Sequence, residues 1–166
     1  MSRLLALDQS SRITGWAVFE DGNLIGHGKF DAENASSNIA DRLHYIRKKV
    51  AQLIEQFKIN EVVLEDIQMQ GNVVNNVQTF KTLAEVFGVI SELLVELNIP
   101  QSAVLASSWK STLGIKGANR AAQKKNAQEY VLNTYSIKAT QDECDAICIG
   151  THKCSKGSDA GFDWAD

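Results

Sequence analysis

The run Leu4-Leu5-Ala6-Leu7 constrains this chain more than any other segment: it is apolar at every position and stops on an acid, Asp8. Apolar residues at consecutive rather than alternate positions fit a strand covered on both faces, as in a sheet with helices on either side. A second such run, Val62-Val63-Leu64, stops on Glu65. Around these two anchors the pattern predicts strands over Arg3–Asp8, Thr14–Glu20, Asn23–Phe30, Glu61–Glu65 and Ser102–Ala106. The second and third flank Asp21-Gly22, a two-residue hairpin signal. Helical spacing of Ile39, Leu43, Ile46, Val50, Leu53 and Phe57 predicts a helix over about Asn38–Phe57. A second helix over about Thr79–Asn98 carries Phe80, Leu83, Phe87, Ile90, Leu94 and Leu97 on one stripe and ends before Pro100, the only proline. The polar stretch Gln70–Gln78 reads as a loop, and helices are expected near Asn119–Thr134 and Gln141–His152 after the glycine-broken segment Gly114–Gly117. The fold class is therefore α/β, a mixed five-stranded sheet flanked by helices. Residues 1–154 make one domain, and residues 155–166, with Asp159, Asp163 and Asp166, make an acidic tail.

In that layout the first and fourth strands are parallel neighbours, so Asp8 and Glu65 end side by side. The carboxyl edge of an α/β sheet is where ligands and chemistry gather. Asp142 and Asp145, three apart at the start of the last helix, share one helical face. Taken one at a time these acids have structural explanations: strand-end Asp residues cap turns, and Thr140-Gln141-Asp142-Glu143 fits a capping box with Thr140 as N-cap. Together they form a carboxylate cluster that repels itself unless protons or cations intervene. Mg²⁺ or Mn²⁺, hard ions that prefer oxygen, are the natural guests, and two such ions per site are a standard device for cutting phosphodiesters. The candidate metal ligands are Asp8, Glu65, Asp142 and Asp145.

Net charge is −3, which does not advertise a polyanion binder, yet Leu97 to Gln128 has no acid and carries Lys110, Lys116, Arg120, Lys124 and Lys125. Lying between the second and third acidic motifs, these five are candidate DNA-binding residues. Lys110 or Lys124 is also suited to neutralise charge building on a phosphate. Arg42, Arg47, Lys48 and Lys49 form a second cluster. No apolar run approaches a membrane span, and three cysteines argue against a disulfide scaffold and for a reducing cytoplasm.

The motifs carry a resemblance. Leu5-Ala6-Leu7-Asp8-Gln9-Ser10-Ser11-Arg12-Ile13-Thr14-Gly15-Trp16 resembles the opening motif of RuvC-type Holliday-junction resolvases, members of the ribonuclease H-like superfamily. Val62-Val63-Leu64-Glu65 resembles their second acidic motif, and Ser108-Trp109-Lys110 with Gly114 their lysine-bearing strand-to-helix segment. Lys124-Lys125 falls where the family has a further basic residue. Asp142-Glu143-Cys144-Asp145-Ala146-Ile147 resembles the closing D-x-x-D-A motif. The resemblance implies a ribonuclease H-like fold and a metal-dependent endonuclease acting on four-way and other branched DNA by paired symmetric nicks, leaving 5′ phosphate and 3′ hydroxyl. It implies catalytic roles for Asp8, Glu65, Asp142, Asp145 and Lys110, and a homodimer matching the two-fold symmetry of the junction. The chain departs from the family in carrying Gln9-Ser10 where Pro-Gly is usual and Gln68-Met69 where a stacking phenylalanine is usual. A short divergent member of this kind suits a phage, working in its bacterial host's cytoplasm.

Other signals are structural in this reading. Cys144, Cys148 and His152 fall at i, i+4, i+8, with Cys154 close by, and read as a packed small-residue face rather than a zinc site. Trp16 and Trp109 read as core, and His44 as surface or core edge. Two other function classes remain open: a single-domain nucleotide-binding protein of the actin and sugar-kinase type, and a non-catalytic junction-binding module. A ribonuclease acting on RNA–DNA hybrids shares fold and metals but not the Asp142-x-x-Asp145-Ala146 context.

Overall fold

The run Leu4–Leu7 lies in strand β1 (Arg3–Asp8), which is paired along both edges. Both its faces are covered, Leu5 and Leu7 by one core and Leu4 and Ala6 by the other, which is why it is apolar throughout. In the computed structural model, which describes residues 1–68 and 73–156, β2 (Ile13–Glu20) runs antiparallel to β1, and β3 (Asn23–Asp31) antiparallel to β2. Asp21 and Gly22, with φ of 48° and 86°, make the expected tight hairpin. On the other edge β4 (Glu61–Glu65) is parallel to β1, and β5 (Gln101–Val104) parallel to β4, giving the order β3-β2-β1-β4-β5. The mixed five-stranded sheet is the one expected.

Helices cover both faces. On one side lie α1 (Ile39–Phe57) and α2 (Val73–Glu96); on the other lie α3 (Ala106–Thr112), α4 (Arg120–Tyr135) and α5 (Gln141–Lys156). Asn38 and Asn119, at the expected starts of α1 and α4, are N-caps whose side chains accept backbone N–H groups. The first core joins Leu5, Leu7, Val62 and Leu64 to Ile46, Val50, Ile90 and Leu94. The second joins Leu4, Ala6, Ala17, Phe19 and Val63 to Trp109, Val131, Cys144, Ile147 and Cys148. Helix α5 lies across β1 to β4, and its far end is tied to the start of β4 by Lys153 Nζ to Glu61 Oε1 at 3.2 Å.

Three expectations need correction. Val73–Gln78, read as loop, forms the first turns of α2, while the preceding residues 69–72 lie outside the described residues. The fifth strand stops at Val104, and Ala106 instead opens α3, a helix the pattern did not announce. Its one buried anchor, Trp109 at 1% exposure, holds the short helix by tertiary packing rather than by an amphipathic stripe. Helix α5 continues past His152 to Lys156. The acidic residues of the tail lie outside the described residues.

Candidate functional site

Alternation along the strands decides where the two strand-end acids point. Leu5 and Leu7 belong to the α1–α2 core, Leu4 and Ala6 to the α5 core, so Asp8 shares the α5 face. In β4, Val62 and Leu64 belong to the first core and Val63 to the second, which puts Glu65 on the α5 face as well. The parallel register pairs Leu7 with Leu64, so Asp8 and Glu65 are the next positions along.

The start of α5 comes to the same place. Thr140 and Glu143 form the expected capping box: the Glu143 carboxylate accepts from the Thr140 N–H (3.2 Å) and hydroxyl (2.8 Å), and the Glu143 N–H donates to Thr140 Oγ1 (3.4 Å). The other Glu143 oxygen lies 2.9 Å from His27 Nδ1 on β3, fastening the helix start to the sheet. Burial pushes the Glu143 carboxyl up, but the hydrogen bonds from Thr140 and His27 outweigh it and hold it below its ordinary value. Gly15, register partner of Asp8, lets the helix lie directly on β2: a Cβ there would sit 1.9 Å from the Asp142 carbonyl oxygen. No side chain fits between the two backbones. Asp142 and Asp145 thus reach Asp8 from above the sheet, while Cys144, Ile147 and Cys148 face the core.

The electrostatics record the crowding. Burial raises the Asp8 carboxyl well above its usual value, helped by Glu65, Asp145 and Asp142 and opposed by Lys124. Glu65 is raised to about 7, by burial first and then by Asp145, against relief from Lys110, the Trp109 indole and Lys124. Asp145 is raised by burial despite Lys124 and Lys110. Lys124 Nζ stands 3.5 Å from Asp145 Oδ2, and Lys110 Nζ donates to Gln123 Oε1 at 3.1 Å and lies 5.4 Å over the Trp109 ring. Four carboxylate side chains, three of them (Asp8, Glu65 and Asp145) with raised proton affinity, match a hard divalent cation in chemistry. Among the described residues, no three Asp, Glu, His or Cys side chains are gathered tightly enough to hold an ion as they stand. Uncompensated carboxylates repel one another, and Lys124 supplies the cation nearest Asp145.

The five basic candidates separate. Lys110 and Lys124 are half-buried against the carboxylates, whereas Lys116, Arg120 and Lys125 are exposed. The second basic cluster is largely engaged within the protein. Arg47 pairs with Glu92 and Glu96, the Arg42 Nε donates to the Ser36 carbonyl, and Lys49 lies over the Tyr45 ring. Cys144 and Cys148 are buried in the second core, as the packed-face reading held, and burial pushes the Cys144 thiol up to about 11. Trp109 is core, and Trp16 packs against Phe57 and over Gly28, where a Cβ would lie 2.6 Å from the indole. Three residues that matter to the geometry escaped sequence reasoning: Gln9, Gly15 and His27. Gly15 stood inside the opening motif, so a signal existed; His27 gave none.

The model of the family described as "Crossover junction endodeoxyribonuclease RuvC" matches residues 4–152. The protein of that name from Geobacter sulfurreducens is 27% identical over 150 residues, covering 89% of this chain and 88% of its own. Among solved structures, Thermus thermophilus RuvC in complex with a Holliday junction substrate superposes with a TM-score of 0.71 at 16% identity, over 93% of this chain and 94% of that one. Fowlpox virus resolvase in complex with substrate Holliday junction DNA does so with a TM-score of 0.54 at 17% identity, over 92% and 97%. These likenesses give the expected ribonuclease H-like fold. The family match leaves only short stretches at either end unmatched, and the chain belongs to the RuvC family of crossover junction endodeoxyribonucleases.

Proposed function

We propose that this crossover junction endodeoxyribonuclease resolves four-way DNA junctions by paired symmetric nicks, at a site where Asp8, Glu65, Asp142 and Asp145 hold two divalent cations, Mg²⁺ or Mn²⁺. The observation that carries the reading is the meeting of strand-end acids Asp8 and Glu65, adjacent in register on one sheet face, with the acid-bearing start of α5. When bound, the ions supply an activated water and stabilise the departing 3′ oxygen, leaving 5′ phosphate and 3′ hydroxyl ends. Gln123 and the Trp109 ring hold Lys110, whose ammonium offsets charge on the scissile phosphate. Lys124, 3.5 Å from Asp145, supplies a second positive charge for the phosphate. Exposed Lys116, Arg120 and Lys125 track the DNA backbone outside the site.

In this reading residues 1–154 are the nuclease unit and two copies act together, because a four-way junction offers two equivalent strands. Half-buried Phe80 and Leu83 and exposed Val77 and Val95 give α2 apolar surface for a partner copy. Light scattering is expected to give twice the monomer mass with junction bound, and a cruciform plasmid to go straight to linear product. Accumulated nicked circles would argue for a structure-selective nickase instead.

The decisive experiment incubates the protein with a mobile synthetic four-way junction and Mg²⁺, beside Asp8→Asn. The wild type is expected to give symmetric nicked duplexes. Asp8→Asn is expected to bind the junction and cut slower by on the order of a thousandfold or more, since several kcal/mol of transition-state stabilisation go with the ions. A wild type that leaves the junction intact in both Mg²⁺ and Mn²⁺ would sink the reading.

A further inference from the structure

The β1–β4 ladder stops short of its two acids. Backbone pairing runs from Leu4 opposite Glu61 to Leu7 opposite Leu64. After Asp8 the chain turns away toward β2, which leaves the Glu65 backbone without a main-chain neighbour on that side. The side chain of Gln9 fills the gap. Its Nε2 donates to the Glu65 carbonyl at 2.6 Å, and its Oε1 accepts from the Glu65 N–H at 3.2 Å. One donor and one acceptor on a planar amide are what a peptide group offers, so the side chain adds a rung that the backbone cannot.

The clamp is built into the loop. Gln9 is 6% exposed, so its hydrogen bonds are shielded from competing water. Thr14, fully buried, fixes the base of the turn: its hydroxyl donates to the Ser10 carbonyl at 3.1 Å and accepts from the Ser10 N–H at 3.3 Å. Ser10 Oγ accepts from the Arg12 N–H at 3.1 Å. Beyond Glu65, the Asp66 N–H donates to the Val104 carbonyl at 2.8 Å, so β5 steadies the strand end from its other side.

We propose that Gln9 is a positioning residue for the metal site: its amide fixes the Glu65 backbone against that of Asp8 and so sets the spacing of the two strand-end carboxylates. The inference rests on the reading of Asp8 and Glu65 as metal ligands. It also gives the Gln9-for-Pro departure a physical content, because proline has no side-chain amide to make this rung.

Gln9→Met keeps the side chain's approximate volume and removes both hydrogen bonds; Gln9→Asn keeps the amide on a stem one methylene shorter. Without DNA, Mn²⁺ affinity measured by calorimetry is expected to fall roughly ten- to hundredfold in Gln9→Met, the range found when the partners that orient metal ligands are removed. Gln9→Asn should weaken it similarly. Amide exchange at Glu65 should speed up in both. Adding Gln9→Met to Glu65→Gln should cost little further affinity, because Gln9 acts through Glu65. A Gln9→Met protein that folds and binds Mn²⁺ as wild type does, or losses that multiply in full in the double variant, would overturn the proposal. Unchanged Glu65 exchange would overturn the clamp itself, whatever the metal does. A wild type that binds no Mn²⁺ would instead overturn the ligand assignment on which the proposal rests.

Discussion

The two faces of the sheet are packed differently. Against α1 and α2 the core is built of large aliphatic side chains, Leu5, Leu7, Ile46, Val50, Ile90 and Leu94, with bulk separating helix from sheet. Against α5 the packing mixes sizes: large Leu4, Phe19, Ile147 and Ile149 stand beside small Ala6 and Ala17 on the strands and Cys144, Ala146 and Cys148 on the helix. Two glycines make room on this face: Gly15 lets the Asp142 backbone lie directly on β2, and Gly150 accommodates the Phe19 ring, 2.1 Å from where a Cβ would sit. Close approach is what lets acids on a helix meet acids on strands. One face supplies stability through apolar burial; the other gives up side-chain volume so that four carboxylates share one place.

The sharpest way to break this contrast is Gly15→Ala. The added carbon meets backbone rather than a pliant side chain, so the start of α5 must shift and carry Asp142 with it. If Asp142 serves the site as proposed, its displacement by about 1 Å costs roughly a hundredfold in rate, so cutting is expected to fall at least that far while junction binding persists. Unchanged cutting would show that α5 does not need its close seat. The matching change on the opposite face is Ile90→Ala. It should cost about 2–5 kcal/mol of stability in urea unfolding, as a large-to-small core change does, with cutting per folded molecule unaltered.

A smaller effect separates the faces by pH. In the metal-free protein Glu65 is raised from 4.5 to about 7, so between those values the folded state holds a proton that the unfolded chain releases. Stability associated with Glu65 is therefore greatest below 4.5 and declines as pH rises to about 7. Urea unfolding across that range should show the wild type losing stability relative to Glu65→Gln, by a few kcal/mol at most. Mg²⁺ should flatten the difference. Ile90→Ala should lower the whole curve without changing its slope. The smallest expected effect is on the exposed basic residues: Lys116→Ala and Arg120→Ala should each flatten the log–log salt dependence of junction binding by about one unit. An unchanged slope in the double variant would make them surface charges with no phosphate to meet.

What the sequence disclosed follows the same division. Both apolar runs, the Asp21-Gly22 hairpin and the Thr140–Glu143 capping box were legible, because each is a local rule with a local residue signature. So were the acids that meet at the strand ends, since period-two alternation assigns a face once the core is known. Helix α3 was not legible: seven residues are too few for a period, and only tertiary burial of Trp109 accounts for it. The start of α2 was hidden by polar residues in a helix whose apolar stripe lies further along. Gln9 and Gly15 stood inside the opening motif, but their partners Glu65 and Asp142 lie far along the chain, and no pattern within a window of sequence reports a partner so distant.

The tie between Lys153 and Glu61 gives α5 a second fixed point on β4, at the opposite end from the acids. From Asp145 to Lys153 is eight helical residues, a rise of about 12 Å. From Glu61 to Glu65 is four strand residues, about 13 Å. Helix and strand are commensurate, two residues of one for each residue of the other. A single inserted residue between the fixed points of α5 would lengthen it by about 1.5 Å and turn one end about 100° against the other, which swings Asp145 off the site or Lys153 off Glu61. Neither element can change length alone. A length change that keeps both ends of α5 in place is therefore expected to be tolerated only in the connections between elements, where it alters neither the pitch of the helix nor the rise of the strand.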